Sequence, residues 1–205
     1  FTGYRRHLAL NTERYWSWLP MGVRARLESA TQRLDRRQPI SRQVAKLFSG
    51  ASLSGDARIV NYFTWSPESS ITELLTPELR ASAADERATQ PLFDFLDTLP
   101  AETSRLDRML ALEQRFFLGD HNLIYTDKMS MAAGVEVRVP FLDVDLVEFA
   151  AKVPIKYKQR GTVGKWVLKK AMEPYLPRDI IYRPKSGFGA PLRRWMRYEL
   201  NELLH

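Results

Sequence analysis

An all-α fold, or one nearly so, is what this chain of 205 residues predicts. Three observations carry the prediction. Apolar residues recur at spacings of three, four and seven along several stretches. Runs that alternate with period two are scarce. No succession of strands with intervening helices can be traced, so no parallel sheet is expected within the chain.

Taken in order, residues 23–34 and 40–48 read as two helices separated by Gln38-Pro39. Residues 59–65, Ile-Val-Asn-Tyr-Phe-Thr-Trp, are β-prone by composition. Shorter helical candidates cover 71–75 and 77–84, with Pro67 and Pro77 as interruptions. Residues 85–104 are polar and proline-interrupted, and read as a flexible connection. Leu106, Met109, Leu110, Phe116 and Phe117 then form one apolar stripe. A helix ends at Gly134, and an extended stretch follows in which Glu136 and Arg138 alternate with Val135, Val137 and Val139. Charges in that pattern imply buried or half-buried polar groups that need partners. Asp143 is the expected N-cap of a helix with Leu142, Leu146, Phe149 and Ala150 on its apolar face, stopped by Val153-Pro154. Residues 165–175 read as a helix ended by Leu176-Pro177, and residues 193–204 as a final helix after Pro191.

A hydrophobic share of 44% and a charged share of 27% suit a soluble domain with a real core. No apolar run is long enough for a membrane span, and no signal-peptide core is present. With no cysteine, disulfides and thiolate metal sites are excluded. His7, His121 and His205 have no ligand spacing, so no metal site is assigned. The net charge of +7 is uneven: residues 1–50 carry 10 basic and 3 acidic groups, residues 51–110 carry 5 and 10, and residues 161–205 carry 9 and 4. Basic stretches can meet nucleic acid, anionic lipid or a phosphate-bearing substrate. No basic block with interleaved aromatics and no nucleic-acid fold signature occurs, so pairing with further parts of the same protein is the preferred reading.

One segment is more specific than the rest. Asp127, Lys128, Ser130, Met131, Ala132, Val135, Glu136, Arg138, Pro140, Phe141, Leu142 and Asp143 stand at the spacing of a pattern found in glutamine-dependent asparagine synthetases. Leu176-Pro177, Arg183-Pro184-Lys185-Ser186-Gly187-Phe188-Gly189, Pro191 and Trp195 match the same family downstream. Phe1-Thr2-Gly3-Tyr4-Arg5-Arg6 look like the tail of its acidic, glycine-containing motif. The chain therefore resembles the asparagine synthetase family, well over residues 110–200, briefly over 1–6 and poorly over 20–105. The resemblance implies that residues 1–205 are the helical C-terminal portion of an α/β synthetase domain of the PP-loop, adenine nucleotide alpha hydrolase-like type. The family's pyrophosphate loop and the cysteine nucleophile of its glutaminase domain are not in this sequence, so the chain alone is expected to be inactive.

By that resemblance the chain is part of a ligase that uses ATP and Mg²⁺ to adenylate a carboxylate, aspartate first of all, and then transfers to it ammonia drawn from glutamine. Partners would be those substrates and the N-terminal domains of the same protein, in the cytoplasm, without nucleic acid or membrane; a homodimer is allowed. Lys185, in a glycine-containing loop able to approach an anion, and Lys165, at a helix start, are the implied catalytic cations. The plain alternative for each is a solvated surface lysine. Tyr4, Asp127, Glu136 and Arg138 are the implied substrate-binding residues. Arg138 offers a planar fork for Asp127, Asp143 or a substrate carboxylate, and a structural network of Glu136 and Arg138 is the preferred reading of that pair. Tyr125 stands where many relatives have a lysine, so a different carboxylate substrate stays open. A non-catalytic helical interaction module is the second function class.

Overall fold

Leu10, Ile59, Val60, Tyr62, Leu96, Met109 and Leu112 are buried together, and four helices bring them there. The architecture comes from a computed structural model that describes residues 1–35, 37–83, 87–184 and 191–203. It divides into two compact units, Phe1–Val167 and Leu168–His205.

The first unit runs through α1 (Arg5–Thr12), α2 (Met21–Gln32), α3 (Pro39–Phe48), α4 (Gly55–Phe63), α5 (Glu68–Thr72), α6 (Pro77–Ser82), α7 (Gln90–Asp97) and α8 (Arg105–Leu112). A segment of wider π register, Glu113–Leu123, continues α8 into α9 (Ile124–Ala132). Then come α10 (Val144–Lys152), α11 (Ile155–Lys158) and an antiparallel hairpin, β1 (Gln159–Arg160) with β2 (Val163–Gly164), in register Gln159↔Gly164 and Arg160↔Val163. Helix α12 (Trp166–Met172) spans the unit boundary, and the second unit holds α13 (Arg178–Ile181) and α14 (Leu192–Arg197). No helix of the described residues is long and apolar enough to cross a membrane.

The all-α expectation holds, with one short hairpin beside the helices. Local chemistry explains many of the boundaries. Proline opens the first turn of α3, α6 and α7, where its missing N–H has no intrahelical role. Ser104 caps α8 by accepting from the Asp107 amide, and Asp143 caps α10 by accepting from the Leu146 amide at 3.1 Å, as expected from sequence. Helix α9 stops at Gly134, whose φ of 68° lets its N–H reach the Met131 carbonyl while Val135 reaches Ser130.

Two stretches differ from the sequence reading, and both belong to the core. The β-prone residues 59–65 mostly lie in α4. As a helix, Ile59, Tyr62 and Phe63 share one face, and burial outweighs β-propensity. The expected flexible connection contains α7, whose Leu92, Phe93, Phe95 and Leu96 pack on that core; Pro91 starts this helix instead of breaking it. The final helix is shorter than predicted: α14 ends at Arg197, and a 3-10 turn at Asn201–Leu203 follows.

Arg58 ties α4 to the segment after α1. It is buried, its Nε donates to Glu13 at 2.7 Å, and its other nitrogens donate to the Ser49 and Leu47 carbonyls and the Tyr62 hydroxyl. Arg105 holds the second oxygen of Glu13. A buried guanidinium is tolerated because every nitrogen is matched.

Candidate functional site

The start of the chain and the β2–α12 junction meet closely. Thr2 is buried; its hydroxyl donates to the Lys158 carbonyl at 2.8 Å and accepts from the Lys165 amide at 3.1 Å. Gly164 faces Gly3 so tightly that a Cβ on Gly164 would stand 3.0 Å from Gly3 Cα and 3.2 Å from Gly3 N. The Lys165 stem then runs past Gly3, where an added Cβ would stand 3.0 Å from Lys165 Cε. Lys165 itself has φ 55°, the left-handed region that a side chain normally disfavours, and it is the one such non-glycine among the described residues. Its ammonium has no hydrogen bond or ion pair with any described residue.

Buried charges brace this junction from below. Lys158 Nζ binds Asp107 Oδ1 at 2.6 Å and the Ala151 carbonyl at 3.0 Å. His7 Nδ1 accepts the amides of Gly3 and Tyr4 at 3.0 and 3.3 Å, which places the imidazole proton on Nε2. That Nε2 lies 2.9 Å from Glu113, off the line of its N–H, and Arg6 Nε also donates to Glu113. The Arg6 guanidinium in turn covers the rings of Tyr4, Phe63 and Phe117. Thr2, His7, Glu113, Lys158, Asp107 and Gly164 were not singled out from sequence. Glu113 had a signal: it lies four residues after Met109 on the stripe's own face, where a carboxylate requires a partner.

An aromatic row leads away from Tyr4. Its ring meets Phe117 edge-on at 5.7 Å, Phe117 meets His121 at 5.2 Å, and His121 stacks on Tyr125 at 6.0 Å, with Trp65 against Phe117 and His121.

Of the sequence-derived site residues, Tyr4 and Lys165 flank the same glycine, Gly3. Asp127 lies exposed on α9, where its carbonyl accepts from the Ser130 hydroxyl, and its carboxylate has no ion pair among the described residues. Arg138 pairs with Glu136 at 3.1 Å, and not with Asp127 or Asp143. Their side chains are 86% and 63% exposed, which corrects the expectation of a buried or half-buried polar pair. Residues 135–139 belong to no helix or strand, and the valines are also open to solvent, so water supplies the hydration the pair needs. Lys185 lies outside the described residues.

In the second unit, Glu173 gathers Lys170 Nζ at 2.9 Å, Arg178 Nη1 at 3.0 Å and the Tyr182 hydroxyl at 2.7 Å. Hydrogen bonds from Lys170 and Tyr182 hold its carboxyl below the usual range.

Comparison with known proteins gives a family and several relatives. The family model for asparagine synthase matches residues 1–205. Asparagine synthetase (glutamine-hydrolyzing) 1 of Bacillus subtilis is 35% identical over 99 residues, 48% of this chain and 16% of that protein. A Mycobacterium bovis protein with a provisional asparagine synthetase (glutamine-hydrolyzing) name is 29% identical over 200 residues, 96% of this chain and 28% of that protein. Asparagine synthetase (glutamine-hydrolyzing) 3 of Bacillus subtilis is 37% identical over 113 residues, 55% of this chain and 16% of that protein. The chain thus spans under a third of the length of these relatives. No solved structure matches it.

Proposed function

Because the chain belongs to the asparagine synthase family, we propose that it forms part of an ATP-dependent ligase that activates a carboxylate and amidates it with ammonia from glutamine. Aspartate is the proposed acceptor, since the relatives are named as asparagine synthetases. The single observation that carries the reading is Lys165: a lysine held at positive φ, its ammonium unmatched by any described residue, beside the Thr2-Gly3-Tyr4 segment. Strain of this kind persists where surrounding structure enforces it, and functional sites are where it concentrates.

The chemistry asks for such a group. A carboxylate oxygen forms a bond to the α-phosphorus of ATP, and the bond to the pyrophosphate oxygen breaks. Ammonia then bonds to the carbonyl carbon, loses a proton and displaces AMP. Negative charge grows on phosphate oxygens in the first step, and a fixed ammonium lowers its cost. Lys165 fits an oligophosphate as a compact point charge, and the Gly3–Gly164 contact keeps backbone and stem close together without side-chain bulk. Lys185 is proposed as a second cation for the same charge. Tyr4 would border the cleft, with Asp127, Glu136 and Arg138 offered to the substrate. Mg²⁺ is proposed to accompany ATP; the described residues contain no group of three or more His, Cys, Asp or Glu side chains able to hold it.

The test is Lys165→Ala and Lys165→Arg in the full-length protein, supplied with ATP, Mg²⁺, aspartate and glutamine. Pyrophosphate release should fall by about 10²–10³-fold in the alanine variant, with glutamate release largely retained. Near-normal pyrophosphate release would return Lys165 to the status of a surface lysine.

A further inference from the structure

The basic excess of residues 1–50 is left over by this reading. The three carboxylates there are committed locally: Glu13 to Arg58 and Arg105, Glu28 to the amides of Gly50 and Ser52, and Asp35 to the amide of Arg37. Within the first unit an open cleft of about 760 Å³ lies between α1, α3 and the end of α4. Arg5, Arg6, Arg42 and Lys46 line it beside Leu47 and the exposed ring of Trp65, and none of the described lining residues is acidic. The first turn of α3, begun at Pro39 with no side-chain cap, adds the positive end of a helix to the same wall.

Glu113 already meets Arg6, but Arg5 and Lys46 pair with no carboxylate among the described residues, and like charges gathered on a concave wall cost energy unless an anion joins them. Lys46 registers that cost. Its side chain is exposed in area but stands within the cleft wall, and partial desolvation, with the Arg6 charge second, lowers its ammonium below the usual lysine range. Its described hydrogen bond is a long one, to the Thr64 carbonyl at 3.3 Å. Arg6 Nη2 is enclosed and has no acceptor among the described residues.

The geometry points to a binding site for a small polyvalent anion, an oligophosphate or polycarboxylate, held by Lys46 and Arg5 with Arg6 behind them. The volume is that of a small-molecule site. The cleft is separate in its cations from Lys165, so its test does not depend on the proposed ligase activity.

The experiment is calorimetric titration of the full-length protein with inorganic pyrophosphate and, separately, with citrate. One or both should bind, more weakly as salt rises. Lys46→Gln and Arg5→Gln should each weaken binding by about tenfold, the effect of losing one charge-assisted contact. Lys152→Gln, on the exposed face of α10, should leave it unchanged, and circular dichroism should show all variants folded. Binding of pyrophosphate alone would assign a phosphate ligand, and binding of citrate alone a carboxylate one. Lys165→Gln separates the two sites: pyrophosphate binding lost in that variant but kept in Lys46→Gln would overturn the proposal. So would failure of both anions to bind.

Discussion

The Lys165 amide donates to the hydroxyl of Thr2, 163 residues away in sequence, and the same hydroxyl donates to the Lys158 carbonyl. One buried side chain therefore satisfies two backbone groups and fixes where Lys165 leaves the hairpin. Thr2→Val keeps the shape and removes both bonds. Leaving buried groups unmatched costs about 1–3 kcal/mol each, so equilibrium unfolding should show a loss of that order. No measurable loss would mean that water replaces the hydroxyl.

Gly164 should not tolerate a side chain. Its added Cβ would stand against backbone atoms of Gly3, which cannot swing aside as a flexible side chain can. Gly164→Ala is expected to cost about 1–3 kcal/mol, the range for overpacking. Because the two glycines set the position of Lys165, pyrophosphate release should fall together with stability. Gly22→Ala is the control, since nothing lies within 4 Å of a Cβ there.

Lys165→Gly separates strain from chemistry. Relief of the positive φ gains on the order of 1–3 kcal/mol, and the greater freedom of glycine in the unfolded chain gives back about 0.4–1 kcal/mol. The melting temperature should hold or rise while the ligase reaction fails. A variant less stable than wild type would show that the lysine stem packs more than it strains.

How much of this was written in the sequence depends on the kind of signal. Helix ends with a local cause were legible: Asp143 as N-cap, Gly134 as terminator, Val153-Pro154 as stop. What failed was decided by tertiary burial. Ile59, Val60 and Tyr62 look like a strand until α1, α7 and α8 are present to cover one helical face. Residues 90–97 look polar and broken because half their positions face solvent and Pro91 sits where a helix begins. Tyr4 and Lys165 entered the candidate site by resemblance. Thr2 and Gly164 carry no local signal, because their roles exist only once residues 1–4 meet residues 163–165.

Arg58 and Glu13 should be coupled strongly. Arg58→Met leaves Glu13 buried with Arg105 as its remaining cation, and strands the Ser49 and Leu47 carbonyls. Breaking one partner of a buried pair costs about 3–5 kcal/mol. Glu13→Gln should be costly as well, and the double variant Arg58→Met with Glu13→Gln should lose less than the sum. A double-mutant cycle in urea measures that difference, and strict additivity would show that the two side chains act independently.

The same network makes an alkaline prediction. The Tyr62 hydroxyl is buried, donates to the Leu47 carbonyl at 2.9 Å and accepts from Arg58. Burial raises its pKa far above the tyrosine value, and the Arg58 charge opposes this only in part. In the unfolded chain tyrosine loses its proton near pH ~10. Above that pH the folded state holds a proton the unfolded state has released, so folding loses stability as pH rises; below it, the contribution is fully present. One proton of difference gives a slope of at most about 1.4 kcal/mol per pH unit. Urea midpoints for wild type and Tyr62→Phe, followed from pH ~8 to ~11.5, should therefore converge above pH ~10, because phenylalanine has no proton to lose. Parallel curves across that range would place the Tyr62 hydroxyl in water.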